Sequence, residues 1–445
     1  MNTGHHPFPA GLGSMRCNES GGGLRDGMKR GTVGPEAAAR EGRADRELVD
    51  EDPDLHLAEQ RRTESRDRIR RTALEAGIRR VDIVAWRDLD DAEAGGSELH
   101  AHEIISRWAD GGIDVRLWTS RVDGAARLIS RSGYTVNRRA GRYAVFPRTA
   151  VAGLRRKIGT GDALVEIWNG MPFFSPVWSR TPRIVFLHHV HGEMWDMVLS
   201  PKLARIGRTI ESQIAPPFYR RSEIVTLSDS AKKDLVTRLH HPADRVTGVP
   251  PGVDARFTPG GSRNPTPLVI GVGRLVPVKR FDLFIEAMIA LKAIHPDLEA
   301  MIAGEGYERP ALEAQIAAAG AGGWFSLPGR LPDADLIAAY RRAWVVGSTS
   351  SHEGWGMTLT EAAACGAPAV ATRIAGHEDA VIDGESGFLV STLTGLVEAT
   401  SSILSDPMLR RRLSQGALRR VEGMTWERTA SLALDALAAQ VARRR

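Results

Sequence analysis

"LVIGVGRLVPVKRFDLFIEAMIALKAIHPDLEAMIAGEG", residues 268–306, passes from a short apolar run through a glycine turn into a helical pattern and on to a second apolar run. "LVIGVG" has the length and branching of a strand. "RFDLFIEAMIALKAIHP" spaces its apolar residues as a helix does, and "EAMIAGEG" is strand-like again. Strand, helix, strand in that order joins parallel strands by a crossover helix. The alternation continues downstream through the strands "WFSLPG", "WVVGSTS" and "PAVAT", with helical patterns between them. It also runs upstream, through "VDIVAW", the helix "SELHAHEIISRWADGG" and "IDVRLWTS", then "ALVEIWN", "RIVFLHH", "EIVTLS" and "RVTGVPPGV". Between the two series lies "FTPGGSRNPTP", residues 257–267, whose Pro, Gly and Asn content reads as a linker. The expected architecture is therefore α/β: two Rossmann-like, doubly wound parallel-sheet domains facing a central cleft. They span 80–256 and 268–408, and closing helices over 409–445 pack back toward the first domain. Ligands of open parallel sheets sit beyond the carboxyl ends of the strands, so both domains would aim loops into that cleft.

The 445 residues are too many for one typical core, which agrees with two domains. No stretch approaches the roughly 18 unbroken apolar residues of a membrane span. The first twenty residues hold no apolar signal segment, so a cytoplasmic protein is expected, with the inner face of the plasma membrane as one location. Two cysteines, Cys17 and Cys365, exclude a disulfide framework. The net charge of +5 points to anionic partners. Nucleic acid is disfavoured among these, because the basic residues are scattered without stacking aromatics. Residues 1–79 are rich in Gly, Arg and Glu and read as a disordered charged extension, with one solvated helix near 60–78.

Four stretches carry the chemistry. In "GVGRLVPVKR", residues 271–280, Gly271 and Gly273 permit a tight turn and close approach of a ligand, while Arg274 and Lys279 supply cations. A diphosphate beside a helix N-terminus is the natural guest. The missing third glycine of the dinucleotide fingerprint argues against NAD. In "LDDAEAGGSELHAHE", Gly95 and Gly96 precede a helix whose expected cap is Ser97, forming a second backbone nest. "IVFLHHVHGEMW" places His188, His189 and His191 where a strand runs out, with His189 and His191 on one face. No thiolate completes a metal set, and Glu193 is loosely placed. A donor to a sugar hydroxyl is therefore preferred to a metal ligand. Finally, "SHEGWGMTLTEAAACG" puts Glu353 on a loop after a strand and Glu361 about one turn into the following helix. Carboxylates accept from vicinal hydroxyls, so one can grip a ribose diol and the other a hexose, with the amides of Gly356, Met357 and Thr358 pointing at the ligand.

With those residues in view, residues 80–435 resemble the retaining glycosyltransferases of GT-B fold, family 4 type. The resemblance rests on "AGGSE", "VPPGVD", "GVGRLVPVKR", "IAGEG" and the pair Glu353 and Glu361, in that order. It implies that Arg274 and Lys279 clamp the donor diphosphate, with Gly273 beside them. By the same resemblance Glu361 meets the nucleotide ribose and Glu353 the donor sugar. The backbone of Gly356, Met357 and Thr358 would hold the phosphates and sugar, and Gly95 and Gly96 would line the diphosphate from the first domain. His189 aligns best with the family's histidine, the register among His188, His189 and His191 staying open. The implied catalytic set is His189, Glu353, Arg274 and Lys279. The implied reaction moves a hexose from GDP-mannose or a UDP-hexose to a hydroxyl acceptor, which includes lipid-linked acceptors of the cell envelope. It retains anomeric configuration and uses neither metal nor resident cofactor. Pro251 departs from the pattern, standing where Asn is frequent. A sugar-nucleotide 2-epimerase and a non-catalytic nucleotide-sugar module are the alternatives.

The segment "PKLARIGRTIESQI", residues 201–214, sets Leu203, Ile206, Ile210 and Ile214 on one face, with Lys202, Arg205 and Arg208 mostly elsewhere. The expectation is a surface helix packing that apolar face inward. Peripheral contact with an anionic membrane is the other reading.

Overall fold

The computed structural model describes residues 53–444. Two sheets organise the chain. The first contains β1 (Arg80–Val84), β2 (Asp114–Ser120), β3 (Leu128–Arg131), β4 (Tyr134–Ala140), β5 (Ala163–Ile167), β6 (Arg183–Phe186), β7 (Glu223–Thr226) and β8 (Val246–Gly248). Its strand order is β3-β4-β2-β1-β5-β6-β7-β8, parallel except for the β3–β4 hairpin. The second contains β9 (Leu268–Val272), β10 (Glu299–Ala303), β11 (Phe325–Gly329), β12 (Val345–Ser348), β13 (Ala369–Thr372) and β14 (Gly387–Val390). Its order is β11-β10-β9-β12-β13-β14, all parallel.

Helices cover both faces, so the central strands are apolar throughout rather than alternating; every residue of β5, "ALVEI", is buried. The exception within it, Glu166, is satisfied by the amides of Phe173 and Ser175 and by the Tyr219 hydroxyl. In both sheets the winding direction reverses at one place, between β1 and β5 and between β9 and β12. The crevice at such a reversal is where α/β sheets take ligands. Here it collects the loops after β1, β9 and β12.

Four expectations change. Within the extension read as disordered, the helix expected near 60–78 is present but longer, Pro53–Ala76, and it is packed rather than solvated. Ile69 and Ala73 of that helix are buried in one core with Ala430, Ala433 and Leu437 of the closing helix Trp426–Ala442. Its polar sequence misleads because only a narrow stripe is inward, while Arg68 pairs with Asp435 at 2.8 Å. The part of that reading covering residues 1–52, with Cys17, lies outside the described residues. Second, the nest helix spans Gly96–Asp110 and its cap is Gly95, not Ser97. Glu98, three residues on, reaches back to the Gly95 N–H at 2.8 Å and takes over the capping bond. Third, the segment 201–214 turns its apolar face outward. Ala204, Gly207 and Glu211 are its buried residues, with Ala215 and Tyr219 just beyond, and Leu203, Ile206 and Ile214 are exposed. The small residues seat it: a Cβ on Gly207 would lie 2.7 Å from the Trp195 ring.

Fourth, of the closing helices expected over 409–445 to pack on the first domain, only Trp426–Ala442 does so. The helix Pro407–Val421 packs on the second, with Leu413 in its core, so the chain crosses between the sheets twice. The crossings touch. Val253 donates to Met424 O at 2.9 Å, and a Cβ on Gly252 would fall 2.2 Å from the Trp426 nitrogen. Only glycine fits at that point of "VPPGVD".

Candidate active site

The turn after β9 is shaped by its neighbour. Gly273 N–H donates to Ala303 O at 3.0 Å and Leu275 N–H to Glu305 O at 2.8 Å. Those amides are thus engaged by "IAGEG" and not offered to a ligand. Gly304 presses so close that a Cβ would meet Gly273 O at 1.8 Å. Gly271 lies within β9, where its missing side chain makes room for Phe281; its role is strand–helix packing rather than ligand approach. A 3-10 turn, Pro277–Lys279, then precedes the helix Phe281–Ile294.

The turn sends its two cations in different directions. Lys279 Nζ donates to Glu353 Oε1, and Ser350 Oγ donates to the same oxygen at 2.8 Å. Arg274 reaches toward the first domain. Its Nη1 donates to Glu93 O at 3.3 Å, and a Cβ on Gly95 would lie 3.2 Å from its Nε. Gly96 faces Met357 in the same way, 3.3 Å from Sδ. The glycine nest and the phosphate-clamp candidates are therefore opposite walls of one cleft. The nest is held rigidly: Arg87 binds Glu98 at 3.2 Å and Glu93 at 3.0 Å, and Arg138, itself buried, binds Asp88 at 2.6 Å.

After β12, the loop 349–356 ends at Gly356, whose φ of +98° is a left-handed conformation that favours glycine. It caps the helix Met357–Ala364. Among the described residues no acceptor takes the N–H groups of Gly356, Met357 and Thr358, so this helix presents the free amides and the positive dipole end. Burial pushes the Glu353 carboxyl upward, but Lys279, His377 and Ser350 outweigh it and hold it below the usual carboxylate range. Glu361 differs: burial raises it to about 7, only partly opposed by the Tyr340 hydroxyl, which donates at 3.1 Å.

The histidines separate cleanly. His188 turns inward to His100, Nε2 to Nδ1 at 3.1 Å, and burial lowers it to about 4. His189 lies against the loop after β12: a Cβ on Gly354 would sit 3.3 Å from its Nδ1, and its ring meets His352 edge-on at 5.1 Å. Burial, followed by the neighbouring His191, depresses it well below the ordinary value, so its ring is neutral. Its Nε2 is buried without a protein partner among the described residues. His191 stacks on His189 at 4.7 Å, and its backbone N–H donates to Glu211 at 2.8 Å. The described residues contain no cluster of three or more metal-ligating side chains suited to a metal ion.

Several supporting residues escaped the sequence. His377 is fully buried, 2.8 Å from Thr372 O and 3.2 Å from Ser348 Oγ, and bolsters Glu353. Tyr340 and Ser350 set the two glutamates apart, yet lie in patterns that read only as helix and loop. Glu98 was legible, since Gly-x-x-Glu before an apolar run is a capping signature.

Two family descriptions match the chain: Glycosyltransferase Family 4 over residues 94–257 and Glycosyl transferases group 1 over residues 254–420. The D-inositol 3-phosphate glycosyltransferase of Kribbella flavida is 28% identical over 414 residues, covering 82% of this chain and 96% of that protein. A GDP-mannose-dependent alpha-(1-6)-phosphatidylinositol monomannoside mannosyltransferase of Mycolicibacterium smegmatis is 28% identical over 328 residues, covering 67% and 80%. Sucrose-phosphate synthase from Thermosynechococcus elongatus shares the fold, with a TM-score of 0.69 over 82% of this chain and all of that one, at 18% identity. The two matches are consecutive and meet at the linker, the two sheets have the GT-B arrangement, and the chain belongs to the group 1, family 4 type glycosyltransferases.

Proposed function

We propose that the protein transfers a hexose from a nucleoside-diphosphate sugar, GDP-mannose or a UDP-hexose, to a hydroxyl acceptor with retention of configuration. The observation that carries this is the convergence of Arg274, the Lys279–Glu353 pair and the amide-rich start of the helix Met357–Ala364 on one side of a cleft. Gly95, Gly96 and His189 line the other side.

In this reading the bond from the anomeric carbon to the β-phosphate oxygen breaks, and its electron pair stays on the phosphate. Arg274, Lys279 and the amides of Gly356, Met357 and Thr358 bind that charge more strongly as it grows, which accelerates the step. The acceptor oxygen forms the new bond on the same face, and its proton passes to the departing phosphate. Glu353 accepts from the sugar hydroxyls and Glu361 from the ribose, while neutral His189 offers a nitrogen to the sugar. No metal is assigned a role. The acceptor is lipid-linked where the protein works at the inner face of the plasma membrane, and the product belongs to cell-envelope glycolipid or polysaccharide.

A thermal-shift panel of GDP- and UDP-sugars, followed by turnover with and without a hydroxyl acceptor, tests the reading. Acceptor-dependent release of nucleoside diphosphate, with NMR showing the donor's anomeric configuration in the product, is expected. Release of nucleotide with acceptor-independent kinetics, or an inverted product, would overturn it.

A further inference from the structure

We propose that one face of the first domain docks on an anionic lipid bilayer, through an outward apolar ridge flanked by cations. Residues 201–219 run as a helix Pro201–Thr209, a π-helical turn Ile210–Ile214 and a helix Ala215–Tyr219. Along their outer side Leu203, Ile206, Ile214 and Phe218 are 53, 54, 45 and 50% exposed. Four large apolar side chains side by side in water exceed the scattered exposure of an ordinary surface. The ridge continues: Phe174 meets Phe218 edge-on at 5.7 Å, and the next helix, Ser175–Trp178, carries Val177 at 59% exposed.

Charge decides what covers it. Lys202 and Arg205 are exposed on the same segment, and Arg220 follows its end. Arg208 is partly neutralised by Asp196. A second copy seated by two-fold symmetry would bring these cations against their own copies, whereas an anionic bilayer takes the apolar side chains into its acyl boundary and the cations among its headgroups.

The ridge is also tied to the site. Glu211, on the inner side of the π-helical turn, accepts from His191 N–H at 2.8 Å, Gly192 N–H at 3.0 Å and Trp195 Nε1 at 3.1 Å. One buried carboxylate thus joins the docking face to the loop that carries His189. The inference deepens the proposed transfer by placing its acceptor in the bilayer, and rests on that reading only there.

The test is co-sedimentation of the full chain with phosphatidylcholine vesicles, with and without phosphatidylglycerol, at low and high salt. Pelleting with phosphatidylglycerol alone, reversed by salt, is expected. Replacing Lys202 and Arg205 together by Gln should lower partitioning roughly tenfold or more. Leu203→Ser, Ile206→Ser and Phe218→Ser combined should abolish pelleting, with an unchanged donor-induced thermal shift confirming the fold. Absence of pelleting at low salt, pelleting indifferent to these changes, or a dimer in solution that the serine variant dissociates would each overturn the proposal. Nucleotide release from the donor, measured without vesicles on a panel of soluble hydroxyl acceptors, is read separately. Its absence with every acceptor, in a chain that still pellets, strikes the transfer reading and not the docking face.

Discussion

Lys279 and Glu353 hold each other: Nζ donates to Oε1, and both side chains are mostly buried beside the start of the helix Met357–Ala364. A cation assigned to phosphate and a carboxylate assigned to sugar are thus mechanically one unit. Replacing one partner leaves the other buried without its counter-charge. Lys279→Ala should weaken donor binding and slow transfer by about 1 kcal/mol or more and also lower the melting temperature. Arg274→Ala should show the kinetic loss with little change in melting, because among the described residues its guanidinium makes a single hydrogen bond, to Glu93 O. Donor titration and thermal melts of both variants check this, and unchanged kinetics in both would remove the assigned phosphate clamp.

Glu361 makes the molecule sensitive to pH near neutrality. Burial raises its carboxyl from the ordinary 4.5 to about 7. A raised carboxyl binds its proton more tightly in the folded chain, so its stabilising contribution is full below about 4.5 and is lost as pH rises through about 7. Without added nucleotide, Glu361→Gln should therefore melt higher than the parent at pH 8, with the two converging at pH 5. Accepting two ribose hydroxyls requires the charged form, so nucleotide affinity of the parent should weaken as pH falls from 8 to 6 and that of the Gln variant should stay flat. Calorimetry in two buffers of different ionisation heat would detect the linked proton.

The histidines give opposite signatures. His188 is buried against His100 at 3.1 Å, so His188→Ala opens a cavity and strips a partner, lowering stability by about 2 kcal/mol or more. His189→Ala should leave melting nearly unchanged while kcat falls, because its Nε2 serves no protein group among the described residues. Equal effects of the two substitutions on melting and kcat would contradict the assignment.

Gly304 tests the coupling between adjacent turns. An added Cβ would stand 1.8 Å from Gly273 O at a backbone φ of +156°, so Gly304→Ala must displace the turn that carries Arg274. A stability loss of about 3 kcal/mol or more is expected, with weakened donor binding. Chemical denaturation and donor titration measure the two parts.

Ile69 reports on the N-terminal helix. It is 1% exposed and sits in the first core, so Ile69→Ala should cost about 3 kcal/mol in urea unfolding. A cost near zero would mean that the helix Pro53–Ala76 contributes nothing to the core.

Alternation of apolar runs and helical patterns was enough to read two α/β sheets built from parallel strands, because strands buried on both faces must be apolar and each crossover needs a helix of its own. The antiparallel β3–β4 hairpin, whose β3 has no buried residue, lay outside that reading. "GVGRLVPVKR" and "SHEGWGMTLTEAAACG" were legible for the same local reason: glycines mark turns, and charged residues beside them mark chemistry. The sequence could not show that Gly271 packs on Phe281 while Gly304 presses on Gly273, since both facts depend on how consecutive elements fold back on one another and not on residue type. Nor could it tell which histidine turns inward.

The helix Pro53–Ala76 was misread as solvated because two or three buried side chains suffice to seat it, too few to dominate a charged composition. The segment 201–214 was misread the other way. Its period of apolar residues is real, but a helix can be seated by glycine and alanine, and then its large apolar side chains face out. The sequence by itself determined the two-sheet fold, the glycine turns and the residue types of the cleft. The tertiary structure alone decided that Lys279 would meet Glu353, that His189 rather than His188 would face the loop after β12, and which side of each helix is covered. Those are contacts between distant residues, fixed by packing rather than by spacing along the chain.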